Sequence, residues 1–473
     1  MVARKWVSGM LALVVLCLAV GASPAARRAR AHREAGQSEG SLLFDREWPP
    51  GIRHGEGDGL GPVYNARSCV ACHHQGGSGG AGPVDRNVLT VTPISSSFRD
   101  PEARRRASAL VREKTGLLSS GSAVVHRSGT APGYAAWRKR LLTTKFDGFS
   151  LRRAERNTPA LFGAGPIDAI SDAALVAAAA DRVDAEFPEV RGRVSRLADG
   201  RLGRFGWKGH TARLGDFVLT ACSVELGLEV AGHHQAADPT APGASTRGLD
   251  LDADECAALV AYVRDLPAPR SVPTETPAVE LGAVLFRFVG CASCHLSRLG
   301  AVEGLYSDLL LHDLGPGLSD SVAYYETELV DPPQTLAGAA PAREPMTVVA
   351  AGPLPEEWRT PPLWGVGDSG PYLHDGRART LYAAIRHHGG EAAPTVRRFR
   401  ELAVEEQQQV LLFLLSLQAP GPAPRPRIDP ARYEEERRAA VLGARSANHA
   451  VSALGPLAPG RESPLRTMGC CFY

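Results

Sequence analysis

Apolar residues recur at helical spacing in the stretches 252–266, 279–288 and 405–417, and each predicts an amphipathic helix facing a core. An alanine-rich run at 172–183 follows Ser171 and Asp172, both good capping residues, and predicts a fourth helix. Between these runs the periodicity breaks. Glycines crowd the stretches 54–62 and 76–82, and 50 Gly with 36 Pro make the chain rich in turns and loops. At the start, Arg4 and Lys5 precede an apolar run at 11–20 and the small residues Gly21, Ala22 and Ser23. This is the pattern of an export signal, too short to span a bilayer comfortably. Cys17 follows Val14-Val15-Leu16, bulkier than a lipoprotein cleavage site accepts. The expected organisation is a signal peptide at 1–22 and a polar, disordered stretch at 23–40. A first domain at 41–266 and a proline-rich linker at 267–277 follow. A second domain at 278–420 then leads to a disordered Pro/Arg-rich tail at 421–473 holding Cys470 and Cys471, whose pairing is open.

Length and composition narrow the function. A chain of 473 residues with 44% hydrophobic content is long enough for two or three globular domains. Its net charge of +2, from 53 basic and 51 acidic residues, gives no footprint for a nucleic-acid partner.

Two short segments carry the chemistry. Cys69-Val-Ala-Cys72-His73 and Cys291-Ala-Ser-Cys294-His295 both have the C-x-x-C-H spacing of c-type haem attachment. The thiols bond the porphyrin edge, and the adjoining histidine reaches the iron from one turn of helix. With 9 Cys and 14 His in the chain, chance gives roughly 0.005 such motifs. Zinc would need four ligands, so two distant motifs would have to share one ion. Two haems are therefore expected, held by Cys69, Cys72, Cys291 and Cys294, with His73 and His295 as iron ligands. Covalent haem attachment agrees with export to the periplasm.

An internal repeat relates the halves. Thr158-Pro-Ala-Leu-Phe-Gly-Ala-Gly165 matches Thr360-Pro-Pro-Leu-Trp-Gly-Val-Gly367, and Gly209 to Leu214 matches Gly376 to Leu381 in its Gly and Leu spacing. The expected fold class is mainly α, with two cytochrome c-like haem domains and long loops.

The segment from Arg359, with Thr-Pro-Pro-Leu-Trp-Gly and then Pro371-Tyr-Leu-His-Asp-Gly-Arg-Ala, resembles the bacterial di-haem cytochrome c peroxidase superfamily. The branch it resembles most is di-haem oxidoreductase, putative peroxidase. Residues 156–170, 204–227 and 65–73 extend the resemblance over about 40–420. It implies a distal ligand fourteen residues after the histidine of the Pro-Tyr-x-His segment, commonly methionine. Here that count lands on His388. Met346, His374 and His387 are the rivals.

For the first haem, Leu381 stands seven residues before His388 and Leu214 stands seven before Ala221. A methyl group cannot coordinate iron, so an ungapped repeat implies an open distal face; Cys222, Lys208 and His210 are the competing ligands. Cleavage of an O–O bond there needs a group that moves a proton between the oxygens. Glu225, one helical turn beyond Ala221, is the candidate, and the resemblance implies a glutamate in about this place. It also implies a glutamine where this chain has Phe217, a departure that weakens peroxide turnover. Trp207 matches the tryptophan expected between the haems, where an indole relays electrons. The implied function is peroxide reduction, with a small donor protein such as a cytochrome c or cupredoxin as partner. A high-valent haem oxidase acting on a protein or organic substrate, or a simple di-haem carrier, is the alternative. The resemblance also allows calcium, for which no ligand spacing is evident.

Overall fold

The computed structural model describes residues 38–94, 101–117, 122–180, 186–241, 248–269, 276–320, 353–420 and 429–452. The expected signal peptide, Met346, Cys470, Cys471 and most of the stretches 23–40 and 267–277 lie outside them. Twelve α-helices form among the described residues: α1 (Glu39–Asp45), α2 (Pro101–Thr115), α3 (Tyr134–Thr143), α4 (Ala164–Asp168), α5 (Asp172–Ala180), α6 (Leu214–Glu225), α7 (Ala253–Arg264), α8 (Pro277–Phe288), α9 (Leu381–His387), α10 (Ala393–Glu401), α11 (Val404–Ser416) and α12 (Pro430–Ser452). The four helices expected from periodicity are α5, α7, α8 and α11. Helix α7 starts with a capping box: the Asp252 carboxylate accepts from Glu255 N at 2.8 Å, and Glu255 reaches back to Asp252 N at 3.1 Å. Helix α8 opens with Pro277, whose missing N–H costs nothing in the first turn. No helix among the described residues is long and apolar enough to cross a membrane.

Each C-x-x-C-H motif follows a helix that crosses a later one closely. Gly40 of α1 lies so near α7 that a Cβ would stand 2.1 Å from Ala258 O; on α8, a Cβ at Gly282 would stand 1.9 Å from Gln409 O of α11. Glycine is what permits both crossings. One turn on from each glycine sits a phenylalanine. Phe44 lies 6.2 Å from the His73 ring and 5.3 Å from Tyr262, and Phe286 lies 6.2 Å from His295 and 5.3 Å from Phe413. Two apolar cores result. One gathers Phe44, Ile167, Leu214, Val218, Leu259 and Val263 beneath the first motif. The other gathers Leu285, Phe286, Leu381, Val410 and Leu414 beneath the second. Each such buried side chain stabilises the fold by ~1.5–3 kcal/mol.

Two features were not expected. A three-stranded antiparallel sheet, with Val88–Ile94 between Ala123–Val124 and Ser150–Arg156, covers a third apolar cluster around Val91, Tyr134 and Trp137. Its last strand ends on Arg156 and so delivers the Thr158 segment, just as Glu357–Arg359, paired with Leu311–Asp313, delivers Thr360. Within the stretches 23–40 and 421–473, expected to be disordered, the assignment needs correction at the described residues 38–40 and 429–452. Helix α1 already begins at Glu39, capped by Ser38. Helix α12 runs through the supposed tail, with Ala440 and Glu436 buried against α9 and α11. Ion pairs of Glu434 with Arg437 and Arg438 support α12 from its own surface.

Candidate functional site

The first motif opens into a cleft with about 1080 Å³ of space between atoms, open solvent included. Cys69, Cys72 and His73 line it as free thiols and a half-buried imidazole. His73 Nδ1 donates to Gly80 O at 3.2 Å, so in the neutral ring the lone pair is on Nε2. Burial pulls this imidazole down to about 4, so it is neutral near pH 7. Burial likewise pushes the Cys69 and Cys72 thiols up to about 12 and about 11.

Helix α6 forms the opposite wall. Phe217, Ala221 and Glu225, four residues apart, fall on one stripe facing the cleft. Glu225 ends the helix and is gripped by Asn65: Asn65 Nδ2 donates to Glu225 Oε2 at 2.7 Å, and Asn65 N donates to Glu225 O at 2.7 Å. Asn65 Oδ1 in turn accepts from Arg127 N at 3.0 Å. Among the competing ligands, Lys208 is committed elsewhere. Its ammonium donates to Leu354 O, Pro355 O and Glu357 O at 3.0, 2.9 and 2.8 Å. Burial holds the Cys222 thiol well above its ordinary range, which disfavours a thiolate. His210 lines the cleft, buried and lowered to about 4 by desolvation and then by Arg156 and Arg359.

The second cleft, with about 2050 Å³ between its atoms, takes Cys291, Cys294, His295 and His388. His295 Nδ1 donates to Tyr306 O at 2.9 Å and His388 Nδ1 to Ala384 O at 2.8 Å. Both rings thus present Nε2 as the free ring nitrogen. His387, the neighbouring rival, is exposed. His374 lines the cleft too, but its ring stacks on Trp358 at 3.7 Å and its Nε2 lies 3.5 Å from Asp320. Burial, then Arg156, lowers it to about 2.

The two clefts share a wall made by Asn157, Thr158, Pro159, Trp207 and Phe217. Across it the internal repeat becomes geometry. Asn157 N donates to His374 O at 2.7 Å, and Arg359 N donates to Trp207 O at 2.9 Å. Phe205 bridges Thr211, as Tyr372 bridges Ala378. Gly206 and Leu373 both take left-handed backbone, at φ 79° and 70°. Helices α6 and α9 then start at Leu214 and Leu381 after extended N-caps. No residue is gained or lost between these landmarks, so Trp207 matches His374; the same count carried on pairs Ala221, inside α6, with His388, the C-cap just past α9. Phe217, where the resemblance implies glutamine, stacks on Phe205 with centroids 5.6 Å apart.

The residues present fit haem. Each cleft pairs two thiols with an imidazole whose outer nitrogen is pre-aligned. Arg359 adds an independent sign: it is buried on the second cleft, and its Nε donates to Gly206 O at 2.7 Å. Among the described residues no carboxylate is in salt-bridge contact with it; burial lowers it to about 10, partly offset by the charge of Asp308. A buried guanidinium on the cleft suits an anionic group there, such as a haem propionate.

Sequence reasoning missed one constellation. His312 is buried between two carboxylates, with Nε2 2.9 Å from Asp308 Oδ2 and Nδ1 2.7 Å from Glu391 Oε2, and it lies 3.6 Å from Cys294 Sγ. Although burial pulls it down, Cys294 and Asp308 hold the imidazole well above its ordinary value. The (i, i+4) spacing of Asp308 and His312 was the one local signal; Glu391 comes from far along the chain. The donors Cys294, Asp308 and His312 are the one potential metal cluster among the described residues. They are not the all-oxygen set that calcium takes.

Residues 347–417 match the family model described as di-haem oxidoreductase, putative peroxidase. Hydrazine synthase subunit gamma of Kuenenia stuttgartiensis is 30% identical over 156 residues, which span 31% of this chain and 44% of the relative. The chain thus matches less than half the length of that relative. Among solved structures, hydrazine synthase of Kuenenia stuttgartiensis pressurized with xenon is 20% identical. The match covers 56% of this chain and 73% of that chain, with a TM-score of 0.30. A MauG-like protein associated with microbial copper homeostasis is 18% identical over 53% of this chain and 90% of its own, with a TM-score of 0.27.

Proposed function

We propose that this chain is an exported, periplasmic c-type di-haem oxidoreductase that reduces hydrogen peroxide at the Cys69–His73 site with electrons entering at the Cys291–His295 site. Cys69 and Cys72 hold one haem and Cys291 and Cys294 the other, with His73 and His295 as proximal ligands. When bound, the haems supply the iron that receives peroxide oxygen and the electrons that reduce it. The observation that carries the reading is the register of the repeat. Just past the end of α9 stands His388, which would hold the second iron together with His295; at the position that the same count reaches in α6 stands Ala221, which offers no ligand atom. The first site is then the one open to a small ligand, and Glu225 sits one turn further along the same stripe.

Each residue has a defined task. His73 and His295 enter neutral and aligned by Gly80 O and Tyr306 O. Glu225, held by Asn65, accepts a proton from the near oxygen of peroxide and returns it to the far oxygen as the O–O bond breaks. The overall reaction consumes one peroxide, two electrons and two protons and yields two waters. Trp207 lines both clefts, and its Nε1 donates to Asn157 O at 2.9 Å, which holds the indole in the partition. It is the relay between the sites. The electron donor is a small redox protein such as a cytochrome c or cupredoxin.

Phe217 favours a second reading. It presents a stacked aromatic where a glutamine would assist peroxide turnover, so an oxidase using the same site on a protein or organic substrate is the alternative. Absorption and electron paramagnetic resonance spectra of the purified holoprotein, with and without peroxide, test the shared core of both. One high-spin iron that responds to peroxide beside one low-spin iron is expected. Two low-spin irons indifferent to peroxide would leave only an electron carrier. Rapid peroxide turnover with a reduced donor protein separates peroxidase from oxidase.

A further inference from the structure

We propose that helix α12 is a positioning clamp, acting through Glu436, for the short helix that carries His388. The inference rests on the reading of His388 as the second iron's distal ligand. Helix α9 spans Leu381–His387, seven residues, far below the ~12–15 at which an isolated helix becomes even marginal in water. Its first amides have no partners inside the helix. Glu436 takes two of them: Oε1 accepts from Leu381 N at 2.5 Å and Oε2 from Tyr382 N at 2.9 Å. The Thr380 hydroxyl accepts from Ala383 N at 3.1 Å, and Ala384 N begins the helical ladder on Thr380 O at 3.0 Å. Every N-terminal amide of α9 is therefore satisfied, and the carboxylate also meets the positive end of the helix dipole.

The repeat shows why a residue from so far away does this. In the first half the matching amide, Leu214 N, donates to Asp168 Oδ1 at 2.9 Å. Asp168 stands ten residues after Thr158. Ten residues after Thr360 stands Gly370, which has no carboxylate to offer. The space is used instead by α12: a Cβ at Gly370 would stand 2.3 Å from an Arg432 nitrogen, and that guanidinium donates to Tyr372 Oη at 2.5 Å. A third contact seats the helix, since a Cβ on Gly443 would lie 2.1 Å from Tyr382 Oη. The family match ends at residue 417, before this helix begins. Helix α12 thus replaces, from outside the matched segment, the carboxylate that the second half lacks. Leu381, Ala384 and Ile385 of the clamped helix line the cleft along with His388.

The test uses the full-length holoprotein and reads each iron separately. Glu436→Ala is expected to raise the rate at which cyanide displaces the ligand of the second iron at least tenfold and to give it a high-spin fraction, with the first iron unchanged. Glu436→Gln keeps the shape and one acceptor, so a smaller change in the same direction is expected; it is the variant read if Glu436→Ala fails to fold. A lower thermal midpoint with unaltered cyanide kinetics and spin state would reduce α12 to plain packing and overturn the clamp. Equal changes at both irons would overturn it as well. His388→Ala separates the two levels: if it leaves the second iron low-spin, the ligand reading itself is wrong and the clamp falls with it.

Discussion

Replacing Asn65 by alanine removes the grip on Glu225 while leaving the carboxylate itself in place. Two hydrogen bonds are lost. The bond from Nδ2 to Glu225 Oε2 is 2.7 Å long and goes to a carboxylate, a class with a net contribution of ~1.5–3 kcal/mol; the bond from Arg127 N to Oδ1, at 3.0 Å, belongs to the ~0.5–1.5 kcal/mol class. Together they predict a stability loss of about 2–4 kcal/mol, readable as a lowered thermal midpoint. The backbone bond from Asn65 N to Glu225 O survives, so α6 keeps its end. The rate effect is separate. A placed general acid–base contributes ~10²–10⁴ to a rate, and a carboxylate that has lost the Asn65 bond should forfeit about 10- to 100-fold of that. Stopped-flow measurement of the peroxide-dependent spectral change reads the rate effect, with Glu225→Gln as the reference for complete loss. A wild-type rate in a variant whose midpoint has fallen would refute the reasoning.

Ala221→His places an imidazole where the repeat puts His388, and should convert the first iron to low spin and slow its peroxide reaction at least tenfold, about 1.4 kcal/mol of barrier; unchanged spectra would mean that the register does not carry over to the iron. His388→Ala should open only the second iron, seen as a high-spin signal that binds cyanide while the first iron's spectrum stays as it was. In the haem-free protein burial pulls down His312, which lies between Asp308 and Glu391, but Cys294 first and then Asp308 raise it above its ordinary value of 6.5. A raised imidazole stabilises the fold fully below pH 6.5 and loses that contribution as pH climbs through the folded value. The thermal midpoint should therefore decline from neutral into alkaline pH, and His312→Asn should flatten that decline.

The haem motifs were legible because their chemistry is local: five consecutive residues carry thiols and imidazole together. The repeat was legible because glycines at left-handed positions leave fixed intervals, and the structure keeps the interval from Gly209 to Leu214 in its copy at Gly376 to Leu381. His388 and His387 differ by one position, and the count of fourteen from His374 chose His388; in the structure His388 lines the second cleft with Nδ1 bonded to Ala384 O, while His387 is exposed. Lys208 looked like a ligand in a list of residues, yet its partners are three backbone carbonyls, which no side-chain pattern encodes. Helix α12 was misread because proline and arginine dominate its neighbourhood. Its buried face is built from Ala440, Gly443 and Glu436, residues with almost no hydrophobic signal. The sheet strand Val88–Ile94 carries no clean period of two, because Thr90 and Val91 are both buried and Pro93 falls near its end.

The two hydrogen bonds that cross the shared wall, from Asn157 N to His374 O and from Arg359 N to Trp207 O, use main-chain atoms alone. At these two points the junction is indifferent to what side chains it displays, while Lys208 and Arg359 tie the halves further through their side chains. Tryptophan on one side and histidine on the other hang from the same fastening, as do alanine and histidine further along the two helices. Division of labour between duplicate halves can then proceed one side chain at a time, without either half losing its hold on the other.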